Sequence, residues 1–266
     1  MTRPTNFLSK ILSLLILLFA VHINIYAQQT KLYVSFDQRC EGELVKLNQY
    51  VYTNALDTKY QINQIQYFIS DIEFRVNGKW IIGNAELVNG NPRLFENNCC
   101  YIDCENEPIT LRINIKKRKA TIDSIRFVFG IPREKNISYS LTYPELARMY
   151  WPEVLGGGYH YMKTNIKFID SQDSVSLFNC HLGRGVENDT FIDNDFKITL
   201  PCHISPKDKV PHMVIIMNVD KWFSEPNKID FNLYTKGIMG KQDIMSQLCE
   251  NGKNVFRVSS HFYFEF

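Results

Sequence analysis

The stretch PELARMYWPEVLGGGYHYMKTNIKF (residues 144–168), followed after a polar turn by SLFNCHLGRG (residues 176–185), reads as helix, glycine turn, strand and strand. Pro144 suits an early helical position, and Pro152 ends the helix at Trp151. Gly156, Gly157 and Gly158 let the backbone turn tightly into the strand that follows. They do not form a phosphate loop, because no lysine-serine pair or helix pattern comes after them. On an extended chain Tyr159, Tyr161 and Lys163 share one face, and His160 and Met162 share the other. In the second strand Phe178 and Cys180 point one way, Leu177, Asn179 and His181 the other. If the two strands pair, two imidazoles and a thioether converge on one point. Such a soft nitrogen and sulfur set suits copper rather than calcium or magnesium.

Outward from this stretch the chain is dominated by period-two alternation. Leu32 to Phe36 and Leu44 to Tyr52 read as strands, as does Tyr60 to Phe74, where Ile62, Gln64, Gln66, Phe68 and Ser70 alternate with Ile65, Tyr67, Ile69 and Asp71. Asn77-Gly78 signals a hairpin into Trp80 to Ile82. Asn84 to Cys104 carries turn residues and a cysteine cluster and reads as a long loop. Ile109 to Ile115, Ser124 to Phe129, Phe196 to Leu200, His212 to Val219 and Phe256 to Phe266 are further strands. Pro211 marks an edge or a strand start. Asp243 to Cys249 is a late helix. About ten short strands with one or two short helices predict an all-β, antiparallel sandwich or jelly-roll arrangement.

Composition narrows the class. Residues 1–27 combine the positive Arg3 and Lys10 with an apolar run from Ile11 to Val21 and a small Ala27, the pattern of a signal peptide. That run is shorter than the roughly 20 apolar residues a membrane span needs, and no later segment is apolar enough, so residues 28–266 are expected to form one exported domain that does not span a membrane. The formal charge of +2 falls to zero without the two leader cations. That argues against nucleic acid as a partner, which needs a basic stripe; Lys116 to Lys119 reads as a solvated turn. Seven cysteines in an exported chain make disulfides the default expectation, with at least one thiol left over.

With these residues in view, MYWP, GGGYHYMK and FNCHLG resemble the MbnP-like family, the copper-binding, methanobactin-associated periplasmic proteins. YVSFD (33–37) and YQINQIQYFISDIEF (60–74) resemble its opening strands, IRFVFGIP (125–132) its central strand, and IMSQLCENGKNVF (244–256) its closing helix. The likeness spans nearly all of residues 28–266 in the family's order. It implies copper held by His160 and His181; Met162, a soft thioether candidate on its own chemistry, or water is expected to complete the shell. Some relatives also use an oxidised tryptophan two residues before one of the histidines; those positions here are Gly158 and Asn179, so that ligand is not expected. Trp151 lies upstream and reads as packing against the sheet. Met149 is a further soft candidate, His203 and His212 are weaker ones, and His261 reads as structural.

The combined expectation is a secreted copper-binding protein, favouring Cu(I), that sequesters or delivers the ion in the periplasm or at the cell surface. The resemblance implies a di-haem peroxidase-like protein or an outer-membrane uptake system as partner. Zinc is the chemical competitor, but structural zinc wants four protein ligands and catalytic zinc about three with water. No G-x-S-x-G, H-E-x-x-H or paired carboxylates appear, and Cys180 and His181, adjacent on a strand, face opposite ways. A binder is therefore expected rather than an enzyme. The rival is a metal-free extracellular ligand-binding or interaction module of the same fold.

Overall fold

In a computed structural model of the chain, which describes residues 30–89, 94–106, 108–116, 120–205, 211–235 and 237–259, the alternating runs become strands of two packed sheets. The expected signal peptide, His261 and most of the basic run at Lys116 lie outside the described residues. In chain order the strands are β1 (Thr30–Cys40), β2 (Glu43–Leu44), β3 (Tyr52–Thr53), β4 (Lys59–Val76), β5 (Lys79–Ile82), β6 (Asn84–Leu87), β7 (Phe95–Glu96), β8 (Cys99–Asp103), β9 (Thr110–Ile115), β10 (Ile122–Phe129), β11 (Met162–Ile169), β12 (Val175–Leu182), β13 (Gly185–Glu187), β14 (Thr190–Ile192), β15 (Phe196–Ile204), β16 (His212–Asn218) and β17 (Phe256–Ser259). The smaller sheet runs β17-β16-β1-β9-β6, with β2 on β1. The larger runs β12-β11-β4-β10-β15, with β3, β5 and the β7-β8 pair attached along β4.

Pairing is antiparallel except between β1 and β16. The fold is thus the expected all-β sandwich, with one parallel contact inside it. Pro211 precedes a strand start, not an edge, since β16 lies between β1 and β17. Aromatic rings fasten the sheets together. Phe127 of β10 meets Phe256 of β17 edge-on at 5.4 Å, and Phe129 packs on Trp222 at 5.0 Å. Tyr67 of β4 stacks on Phe129 at 6.1 Å and accepts a hydrogen bond from Gln38 of β1 at 2.7 Å.

Several expectations need correcting. Asn84 to Cys104 is not a loop: it holds β6, β7 and β8, and β8 is buried at all five positions, so it has no alternation to read. Leu44 to Tyr52 is mostly irregular. The Pro144 helix is a 3-10 turn (Pro144–Met149), followed by a second one (Glu153–Leu155). The late helix stands as α1 (Gln242–Gly252). The expected disulfides are not formed: all seven cysteines are free. Adjacent Cys99 and Cys100 lie on opposite faces of β8 and cannot meet. Burial raises the Cys180 and Cys249 thiols, Cys249 to about 12, so they act as small apolar fillers. No helix among the described residues is long and apolar enough to cross a membrane.

Candidate metal centre

The register of β4, β11 and β12 decides what meets at the centre. Met162 lies opposite Leu182 and Tyr67, and Lys163 lies opposite His181 and Gln66. Cross-strand partners share a face. Met162, Leu182 and Tyr67 therefore look into the sandwich, and Lys163, His181 and Gln66 look outward. Strand β11 begins only at Met162, and the chain bends at Tyr161 just before it. His160 consequently escapes the parity that tied it to Met162 on paper. The structure brings His160 and His181 together, ring centroids 5.1 Å apart and planes at 79°. Met162 is not brought to them; it is buried on the inner face.

The outer face would be wet at this point without the 3-10 turns and the three glycines. Gly156, Gly157 and Gly158 all have left-handed backbones, with φ of 102°, 62° and 85°. They fold the chain back so that Gly158 accepts from the Trp151 amide at 2.9 Å and the His160 amide donates to the Met149 carbonyl at 2.7 Å. His160 ends 5 % exposed. Trp151 seals it from above, its ring edge-on at 4.8 Å and its Nε1 donating to the Leu155 carbonyl at 3.2 Å. A Cβ at Gly183 would fall 2.5 Å from the Trp151 ring, so that glycine is what lets the indole reach the sheet. Trp151 does pack against the sheet, and it also packs on His160.

Both imidazoles have their tautomers set by the partner of one nitrogen. His160 Nδ1 lies 3.0 Å from the Met149 carbonyl oxygen. A carbonyl only accepts, so Nδ1 carries the proton and Nε2 keeps its lone pair. That Nε2 is buried and has no hydrogen-bond partner. His181 Nε2 lies 2.8 Å from Asn165 Oδ1, whose amide in turn donates to Gln64 Oε1 at 2.9 Å. His181 therefore donates from Nε2 and keeps the lone pair on Nδ1. This is how metal-bound histidines are commonly oriented, with the spare N–H on a carbonyl or amide oxygen.

Electrostatics keep both rings neutral. Burial pulls the His160 pKa down to about 4, helped by the Lys163 charge. Burial, then the neighbouring His160 and Lys163, take His181 down to about 3. At neutral pH two neutral imidazole rings thus stand beside each other, each with one unprotonated nitrogen, a donor type suited to a soft or borderline ion. Among the described residues no three His, Cys, Asp or Glu side chains gather at one point, so the four-ligand set of structural zinc has no counterpart there.

The weaker candidates sit elsewhere. Met149 gives the centre its backbone oxygen, while its side chain is buried. His212 is hydrogen-bonded to Ser35 at 2.8 Å on the other sheet, and His203 is exposed on β15. Asn165 was missed from sequence, although period-two parity places it on the His181 face. The Met149 carbonyl has no sequence signal at all.

Comparison with known proteins agrees with this architecture. No curated protein matches the chain. The solved structure of MbnP from Methylosinus trichosporium superposes with a TM-score of 0.59 over 88 % of this chain and 99 % of that one, at 12 % identity. At that identity the likeness speaks for the fold. The family model MbnP matches residues 29–245, well over half of the sequence, and the chain belongs to the MbnP family.

Proposed function

We propose that this protein binds one copper ion, as Cu(I), between His160 and His181, and serves to sequester or deliver it outside the cytoplasm. The observation that carries this is the buried, unpartnered Nε2 of His160, whose ring lies 5.1 Å from that of His181. A buried polar atom without a partner costs about 1–3 kcal/mol, and an ion held between the rings removes that penalty. Two neutral nitrogens under an indole lid suit a low-coordinate monovalent ion better than an octahedral one. The role is binding rather than catalysis, and an extracytoplasmic partner takes or supplies the ion. A di-haem peroxidase-like protein or an outer-membrane uptake system fits that description.

The test is metal analysis of protein loaded with Cu(I) and then desalted against a weak chelator. The parent should retain about one ion per chain, and His160→Ala with His181→Ala should fall to background. Retention unchanged in that double variant would remove this site, and a parent that retains no copper would leave the fold as a metal-free extracellular module.

A subtler variant probes the orienting bond. Asn165→Leu should weaken copper binding by roughly 10- to 100-fold, because the His181 ring loses the acceptor that holds its tautomer. Chelator competition measures it; an affinity within about twofold of the parent would show that the amide does not orient the ring.

A further inference from the structure

Lys163 stands directly opposite His181 on the outer face, where opposed side chains start about 5 Å apart. Its Nζ lies 3.4 Å from the carbonyl oxygen of Arg148, the residue next to the one whose carbonyl orients His160. It forms no ion pair among the described residues. The nearest carboxylate along the same cross-strand row is Asp103, two strands away beyond Gln66. Both Asp103 oxygens are engaged, Oδ2 by Gln66 Nε2 at 2.8 Å and Tyr101 Oη at 3.0 Å, and Oδ1 by the Glu105 amide at 3.1 Å. A half-buried cation thus faces two neutral imidazoles, with the Asp103 carboxylate beyond Gln66 as the opposite charge that it feels.

We infer that Lys163 is the specificity-determining residue of the centre, a fixed positive charge that makes it prefer a monovalent soft ion over divalent copper or zinc. The inference rests on the copper reading above and deepens it. Coulomb repulsion scales with the charge of the ion, so a divalent ion meets twice the opposition a monovalent one does. Zinc, already short of ligands here, is disfavoured further by this neighbour.

The experiment compares the parent with Lys163→Met, Lys163→Gln and Lys163→Arg. Affinities for Ag(I) and Zn(II), redox-inert probes of the two charges, are measured by competition, together with the potential of the bound copper couple. The two neutral variants should each raise Zn(II) affinity relative to Ag(I) by about tenfold. The same tenfold preference lowers the copper potential by about 59 mV for a one-electron couple. Lys163→Arg should keep the parent's ratio and potential. An unchanged ratio in the neutral variants overturns the inference, as does an arginine variant that behaves like methionine, since packing would then be the cause. A parent that retains no copper at all overturns the function proposed above and this inference with it; a copper-retaining parent with an unchanged ratio sinks the inference alone.

Discussion

Gly158→Ala is expected to lower stability by about 3 kcal/mol and to abolish copper retention while both histidines remain in the sequence. Gly158 has φ of 85°, and an added Cβ would stand 2.7 Å from the Asn136 backbone oxygen and 2.4 Å from Asn136 Oδ1. The backbone oxygen cannot move aside cheaply. Asn136 Oδ1 also accepts from the Tyr159 amide at 2.8 Å, so pushing it away loosens the segment that carries His160. Gly42→Ala is the control: its φ is 86°, but nothing lies within 4 Å of the new Cβ. It should lose only the backbone term, about 1–2 kcal/mol. Urea unfolding of the two variants, with metal analysis of each, separates conformational strain from collision. Equal losses for both glycines would show that the contact with Asn136 does not matter.

Acid should destabilise the metal-free protein through the same histidines. The unfolded chain accepts a proton on each near pH 6.5, whereas folded His160 resists until about 4 and His181 until about 3. Above pH 6.5 both states hold neutral imidazole and there is no penalty. As pH falls below it the unfolded state binds more protons, so stability is lost progressively down to about pH 4 for His160, by about 3 kcal/mol. Asp195 works in the opposite sense. Burial, with Asp193 beside it, lifts its pKa to about 6, so the folded state takes up its proton first and gains stability as pH falls from 6 toward 3.8. The net slope is therefore read as a difference between parent and His160→Phe, both measured by urea unfolding between pH 7 and 4. The variant should lose less stability over that range. Parallel curves would mean that His160 titrates normally.

Much of this was legible from period two. The alternation in Val175 to His181 separates inner from outer residues as the structure does, because that run lies in a regular strand. Tyr60 to Phe74 does so less cleanly, since β4 bulges near Asn63 and at Asp71, whose φ is 51°, and is buried throughout Ile65 to Ser70. The rule fails where regularity stops. His160 and Met162 share a face only if the chain between them is extended, and the bend at Tyr161 breaks that condition. Strand β8 was hidden for another reason: an element buried on both faces carries no amphipathic signal, and Asn97 and Asn98 before it look like loop. Cysteine number suggested cross-links, but number says nothing of distance, and the thiols, spread over both sheets, the turn after β8 and α1, are all free. That His160 and His181 meet could be posed from sequence; the answer lies in the glycine fold-back and the bend at Tyr161, which bring His160 to the face that the β11–β12 register gives to His181.

The two histidines are held by chemically different anchors, and this shapes what a mutational scan can find. Asn165 is a side chain, so any library that varies position 165 will expose its contribution. The acceptor for His160 belongs to the peptide backbone of Met149, and every one of the twenty residues supplies the same oxygen there. Exchange of side chains at position 149 leaves that anchor in place. Half of the orienting apparatus is thereby invisible to substitution and shielded from genetic drift, and replacing the amide by an ester in semisynthetic protein, which weakens the carbonyl as an acceptor, is the route that reaches it.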